Sequence, residues 1–494
     1  MKHLILRRLL KKLFAQTFVY GLATVLPRML SFLLLPLYTG VLATAGFGEV
    51  TVIFSWFVLF NVVLAYGMET AFFRFYSGAA QSQKVVSTSL AALLGSSVLF
   101  YFLASNSLPF FASLTEIDPA YLHYAIGIMT LDALLVIPFA KLRAQGRPMR
   151  YALLKTANVG LNLAANLFFL LGLPWLASRP ESYEALGFLQ SLYRPNFEIS
   201  YIFISNLLAS ASSLLFLIGT YKTLWLGFDF SLFKKMLGYG FPVMLAGVAF
   251  SVNEVFDKIL LAKLLPAHMA ASELGKYAAC YKLALFMTLF ATAFRLGIEP
   301  FFFSHAKSAA PQKAYAMVTR YFVLFGSVVF VGVLVFADLL KELLIRNPEY
   351  WEAMEVVPLI LLASFFLGIY HSLSVWYKVT DQTHYGAYIS MGGALLTLGI
   401  NFWGIPLFGY YAAAVATLVA YGGMMCASFI IGRKKYPIPY ALGPIAAYIV
   451  SGMSLGFVSF YFFPDHLLWG IILLVVYVLA LVYFEYRNLK KLLI

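Results

Sequence analysis

Fourteen apolar stretches, each long enough for a helix to cross a bilayer, leave this chain little choice of fold. About 20 residues rising 1.5 Å each cross a ~30 Å hydrocarbon core, where every backbone N–H and C=O must be satisfied within its own segment. A helix does that. The stretches fall at 14–41, 47–74, 85–107, 119–140, 150–177, 197–226, 235–264, 274–303, 313–337, 354–377, 384–404, 408–432, 439–463 and 466–486. The expected fold is therefore all-α and integral to the membrane, with about fourteen transmembrane helices and bends at Pro242, Pro300 and Pro358. With 62% hydrophobic residues, 11% charged residues and a mean hydropathy of +0.85, the composition is not that of a soluble domain. The longest outside loop, about 178–197, leaves no room for an extramembrane catalytic domain, so no enzyme is expected.

The first stretch holds Pro27 and Arg28 near its middle. An arginine at the bilayer centre costs at least about 2.5–3.5 kcal/mol, and such residues usually face a bundle interior or a wet cavity. Pro27 leaves a carbonyl one turn back in need of a partner. Together they suggest a polar path, the plainer alternative being a simple ion pair with a neighbouring helix. Residues 1–13 alternate basic and apolar positions and suit an interfacial amphipathic segment on the cytoplasmic face.

The net charge of +14 does not point to nucleic acid, because the basic residues sit in short clusters between apolar runs. Alternate loops differ in their lysines and arginines: 24 fall on the side of the two termini and 6 on the other. By the positive-inside rule both termini are expected in the cytoplasm, and the helix number is even. Cys280 and Cys426 lie in apolar segments without metal-ligand spacing, so neither a disulfide framework nor a metal site is expected.

The chain echoes itself at about half its length. Gly67-Met-Glu69-Thr-Ala-Phe-Phe73 is matched by Gly297-Ile-Glu299-Pro-Phe-Phe-Phe303, and Tyr151, Asn166 and Pro174 by Tyr385, Asn401 and Pro406. This order favours a duplicated six-helix unit, with parallel copies related about the membrane normal. The expected organisation is an interfacial segment 1–13, a first lobe 14–226 of helices 1–6, a pseudo-symmetric second lobe 227–432 of helices 7–12, and helices 13–14 in 433–494.

Ten charges remain inside the spans: Arg28, Lys155, Lys258, Lys282, Arg295, Glu69, Asp132, Glu254, Asp257 and Glu299. Lys155 is close enough to a helix end to snorkel, while Glu254 with Lys258 and Arg295 with Glu299 are spaced for intrahelical pairs. Arg28, Asp132, Asp257 and Lys282 have no such local account. No nucleophile, metal or nucleotide motif accompanies them, so the charges read as a ligand and ion pathway. Cations in a dry cavity suit an anionic phosphate, arginine best of all. The acidic groups Asp132, Asp257, Glu69 and Glu299 either take H⁺ or Na⁺ for coupling or hold the cations in place.

Several short motifs, in order, resemble the polysaccharide and O-antigen flippases of the multidrug/oligosaccharidyl-lipid/polysaccharide exporter superfamily. They are Arg28-Met-Leu-Ser-Phe32, Gly46-Phe-Gly48, Ala71-Phe-Phe-Arg-Phe75, Arg143-Ala-Gln-Gly-Arg147, Asp257-Lys-Ile-Leu-Leu261 and Gly275-Lys-Tyr277. The resemblance implies a two-lobed, alternately opening carrier in the bacterial inner membrane. Its substrate would be an undecaprenyl-pyrophosphate-linked sugar moved to the outer leaflet, with no cofactor beyond the membrane potential or a coupling ion. It further implies substrate-binding roles for Arg28, Arg74 and Arg295, with Lys282 as an alternative on the same helix. Membrane lipids and polysaccharide assembly enzymes would be the neighbours of a monomer that binds no nucleic acid. A drug antiporter of the same superfamily, or more remotely a membrane polysaccharide polymerase or ligase, are the rival readings.

Overall fold

The computed structural model describes residues 29, 30, 32–76, 82–115, 117–178, 187–305, 311–463 and 466–493. The amphipathic segment 1–13, Arg28 and most of the first span lie outside these residues. What is described of that span is α1, Leu34–Val41. Thirteen further helices among the described residues are long and apolar enough to cross a membrane, one for each of the second to fourteenth predicted spans. They are α2 (Thr44–Phe75), α3 (Ser82–Asn106), α4 (Pro119–Ala144), α5 (Pro148–Ala177), α6 (Glu198–Leu226) and α7 (Phe230–Leu264). After these come α8 (Ala267–Tyr281, Lys282–Ala284 and Leu285–His305), α9 (Pro311–Val335), α10 (Pro348–Val379), α11 (His384–Phe408), α12 (Tyr410–Lys435), α13 (Leu442–Phe462) and α14 (Leu467–Leu493).

The polar residues between spans set where helices begin. Asp118 caps α4 by accepting from the Ala120 amide at 2.8 Å, with Pro119 in the first turn, and Asp229 caps α7 through the Leu232 amide at 2.9 Å. Pro358, expected to bend α10, instead opens its α-helical part. A 3-10 stretch, Pro348–Val356, precedes it, and a proline in the first helical turn forfeits no intrahelical bond.

By packing, the chain divides into two compact units, Met1–Ser272 and Glu273–Ile494. These units are defined by contact and the predicted lobes by repetition, so the two divisions answer different questions. In the first unit α4 packs against α3 and α6, and α7 lies along α2. α2 is broken at Tyr66 and Gly67, both left-handed with φ of 33° and 71°. In the second unit α10 is the most enclosed helix, wrapped by α8, α9 and α12, while α13 and α14 dock on α9.

The sequence echoes have unequal structural outcomes. Asn166 and Asn401 are fully buried, and each donates its side-chain amide to the carbonyl four residues back, Asn162 at 2.9 Å and Thr397 at 2.7 Å. The matched glycines part company. Gly67 breaks α2, whereas α8 continues as helix through Gly297.

Candidate substrate and ion sites

In the first unit, four charges from α2, α4 and α5 gather in one network. Glu69 follows the α2 break by two residues and accepts from an Arg143 guanidinium nitrogen at 2.7 Å. The same guanidinium sits 4.9 Å from the Phe73 ring centroid. Lys155, expected to snorkel outward, places its ammonium 4.3 Å over the Phe139 ring and within electrostatic reach of Asp132 and Glu69. An aromatic face and nearby carboxylates hold a lysine head better than apolar surroundings do. Asp132 is partly buried and accepts from the Ser210 hydroxyl of α6 at 2.8 Å. Two acids and two bases balance, which suits exchange of a proton or cation better than capture of an anion. Because the Arg143 and Glu69 side chains are 43% and 46% exposed, their pair is worth about 0.2–1 kcal/mol. Glu69→Gln is therefore expected to leave the thermal unfolding midpoint in detergent nearly unchanged, and a loss of several degrees would contradict the exposed geometry.

Asp257 and Lys258 depart from the expected pattern. Lys258 donates to both carboxylate oxygens of Asp257 at 3.0 and 3.1 Å and to the backbone carbonyl of Glu254 at 3.2 Å. Asp257 is only 2% exposed whereas Glu254 is exposed. A buried carboxylate needs the counter-charge more than one that retains polar surroundings.

The second unit holds a small, partly open pocket between α8 and α10, lined by Arg295, His371, Ser372, Ser374 and Lys378 among apolar side chains. Lys282 lies elsewhere on α8, exposed in the 3-10 turn that interrupts the helix. Arg74 is exposed in the last turn of α2. The backbone of Glu299 is helical, and its side chain lies outside the described residues. The second unit also pairs Arg320 of α9 with Glu485 of α14, an ion pair that Tyr448 of α13 joins. Arg143, His371 and Lys378 escaped the sequence reading as site residues. The signal for the last two was their seven-residue separation, two turns along one helix face.

A family model described as polysaccharide biosynthesis protein matches residues 13–305. Among curated proteins nothing matches the chain. Among solved structures, the lipid II flippase MurJ in an inward closed conformation is similar with a TM-score of 0.72 and 14% identity, over 97% of this chain and 100% of that one. An inward-facing multidrug resistance MATE transporter of the MOP superfamily follows with a TM-score of 0.64 and 13% identity, over 87% and 95%. A MOP superfamily transporter from Pyrococcus furiosus gives 0.57 and 13%, over 88% and 95%.

Proposed function

The chain belongs to the polysaccharide biosynthesis protein family, and on that premise we propose that it flips an undecaprenyl-pyrophosphate-linked oligosaccharide from the inner to the outer leaflet of the bacterial inner membrane. The observation that carries this reading is the family match across 13–305, which spans the candidate cations Arg28, Arg74, Lys282 and Arg295. Alternating access would present these cations to the pyrophosphate from either face. A fold shared with both a lipid flippase and drug transporters is compatible with that cycle.

A pyrophosphate with about two negative charges moving outward gains roughly 4–5 kcal/mol per 100 mV of inside-negative potential. The membrane potential is then a sufficient driving force. H⁺ or Na⁺ coupling would fall to Asp132 before Glu69 or Asp257, whose carboxylates Arg143 and Lys258 already hold. The test is leaflet translocation of an undecaprenyl-pyrophosphate oligosaccharide in proteoliposomes under an imposed potential. Wild type is expected to move the lipid faster as the potential grows. Arg28→Ala and Arg295→Ala are each expected to slow it about tenfold or more, as loss of a charged hydrogen bond worth about 1.5–3 kcal/mol requires. Export of a cationic dye against a proton gradient, with no lipid movement, would replace this reading by a drug antiporter.

A further inference from the structure

The turn that joins α4 to α5 carries Arg143-Ala-Gln-Gly-Arg147, whose glycine and second arginine have no part in the proposed transport cycle. Gly146 has φ of 64°, and the amides of Gly146 and Arg147 donate to the carbonyls of Arg143 and Leu142, each at 3.0 Å. These two bonds make a Schellman turn, which folds the residue after the glycine back along the last turn of the helix. Arg147 is thereby set beside Lys141, on which its charge acts. Arg150 follows in the first turn of α5. Arg143 is engaged by Glu69, but Lys141, Arg147 and Arg150 make no ion pair among the described residues.

The first unit has no spare carboxylate for this end. Residues 1–28 and 77–81 contain neither Asp nor Glu. In sequence, Glu116 precedes the start of α4 and Glu181 and Glu184 follow the end of α5, whereas the turn lies at the other end of both helices, which are about 40 Å long at 1.5 Å per residue. On the side of the turn, Glu69 is taken by Arg143 and Asp229 caps α7. Topology requires basic residues on one side of a membrane but not their contact, and separated, solvated cations would meet that requirement. Here a half-buried lysine instead shares its space with an arginine of the same charge. Like charges held together repel, and an anion over them reverses that balance. The helix that leaves the turn points to the kind of anion. Met149 and Leu153 of α5, 67% and 64% exposed, continue with Ala157 and Leu161 as an exposed apolar stripe at four-residue intervals that begins beside Arg150. On a membrane-spanning helix such a stripe faces acyl chains, so the cations stand where the same lipids carry their phosphates.

We propose that Lys141, Arg147 and Arg150 hold the headgroup phosphate of an anionic phospholipid of the surrounding bilayer, whose acyl chains lie along the apolar stripe of α5. A guanidinium presents paired N–H groups to two phosphate oxygens, and the Lys141 ammonium adds a point charge from the end of α4. Each basic residue near an anionic lipid surface strengthens attachment about fivefold. Nothing in this site depends on what the protein carries across the membrane.

The experiment uses the full chain in phosphatidylcholine nanodiscs that contain a trace of spin-labelled phosphatidylglycerol or spin-labelled phosphatidylcholine, and reads the lipid that the protein immobilises. Wild type is expected to prefer phosphatidylglycerol by about tenfold or more. Lys141→Gln and Arg147→Gln are each expected to lower that preference about fivefold, whereas Lys141→Arg and Arg147→Lys keep the charge and most of the preference. Lys434→Gln is the control, because Lys434 is an exposed, solvated member of the basic cluster that ends α12. Salt screens such a charge, and its loss is expected to change the preference less than about twofold. Equal losses in Lys434→Gln and Arg147→Gln would mean a diffuse surface charge and overturn the site. So would a wild type without preference. Inorganic phosphate is expected not to displace the labelled lipid; displacement would make this a free-phosphate site and remove the lipid. Should Lys141→Gln fail to fold, the two Arg147 variants decide alone.

Discussion

Replacing Gly67 by alanine is expected to cost the protein about 2–5 kcal/mol of stability, the sum of a left-handed backbone penalty and an overpacking penalty. Gly67 has φ of 71°, and a Cβ added there would lie 2.0 Å from the carbonyl oxygen of Gly240 and 2.6 Å from its carbonyl carbon. Those atoms are backbone of α7, so no side chain can swing away. Either α7 moves off α2 or the break in α2 straightens. Gly67→Asn separates the two terms, because asparagine tolerates the left-handed region but brings the same Cβ. Both variants are expected to lower the unfolding midpoint, alanine more. Gly95 is the control: it lies on exposed helix with nothing within 4 Å of an added Cβ. Gly95→Ala should be neutral or stabilising by up to about 1 kcal/mol. A wild-type midpoint for Gly67→Ala would show that α2 and α7 do not meet as closely as this.

The break that makes Gly67 sensitive was not legible in its own motif. Gly-x-Glu-x-x-Phe-Phe occurs twice, yet only the first copy turns left-handed, because what demands a missing Cβ is the neighbouring Gly240 backbone and not the motif. The spans were legible because bilayer thickness fixes their length whatever they pack against, and Asn166 and Asn401 each donate the side-chain amide within one helix turn, although the Asn166 side-chain oxygen also accepts from Tyr38 of α1 at 3.0 Å. Partners across helices were not. Spacing pointed Lys258 toward Glu254, and the buried Asp257 beside it also takes the lysine. Of the named candidates, Glu69 and Asp132 come together with Lys155 in the first unit, and Arg295 meets His371 and Lys378 in the second. Arg28 lies outside the described residues. Charge sorting by loop could not see Arg143 or Lys378 as site residues, because each ends a helix and counts equally well toward topology.

Truncating Glu485 to alanine is expected to cost about 3–5 kcal/mol, the range for leaving one member of a buried ion pair without its partner. Glu485 is buried and joins three helices, accepting from Arg320 of α9 and from Tyr448 of α13. A second polar tie runs beside it, the Tyr477 hydroxyl of α14 donating to Ser327 of α9 at 2.8 Å. The pair is also imperfect: the other Glu485 oxygen and the Arg320 Nε are buried without a hydrogen-bond partner among the described residues. An imperfect buried pair gives little net stability against a well-packed apolar replacement, although breaking half of it is costly. The double variant Arg320→Met/Glu485→Met is therefore expected to recover most of the stability that Glu485→Ala loses. Because α13 and α14 dock on α9, the loss in the single variant should be local. Hydrogen exchange should rise first in 442–462, with α10 and α12 still protected. If single and double variants lose stability equally, the helices are held by packing and the ion pair is incidental. If the double variant is stable but transport falls, the pair is kept for how it orients the last two helices, which stability alone would not require.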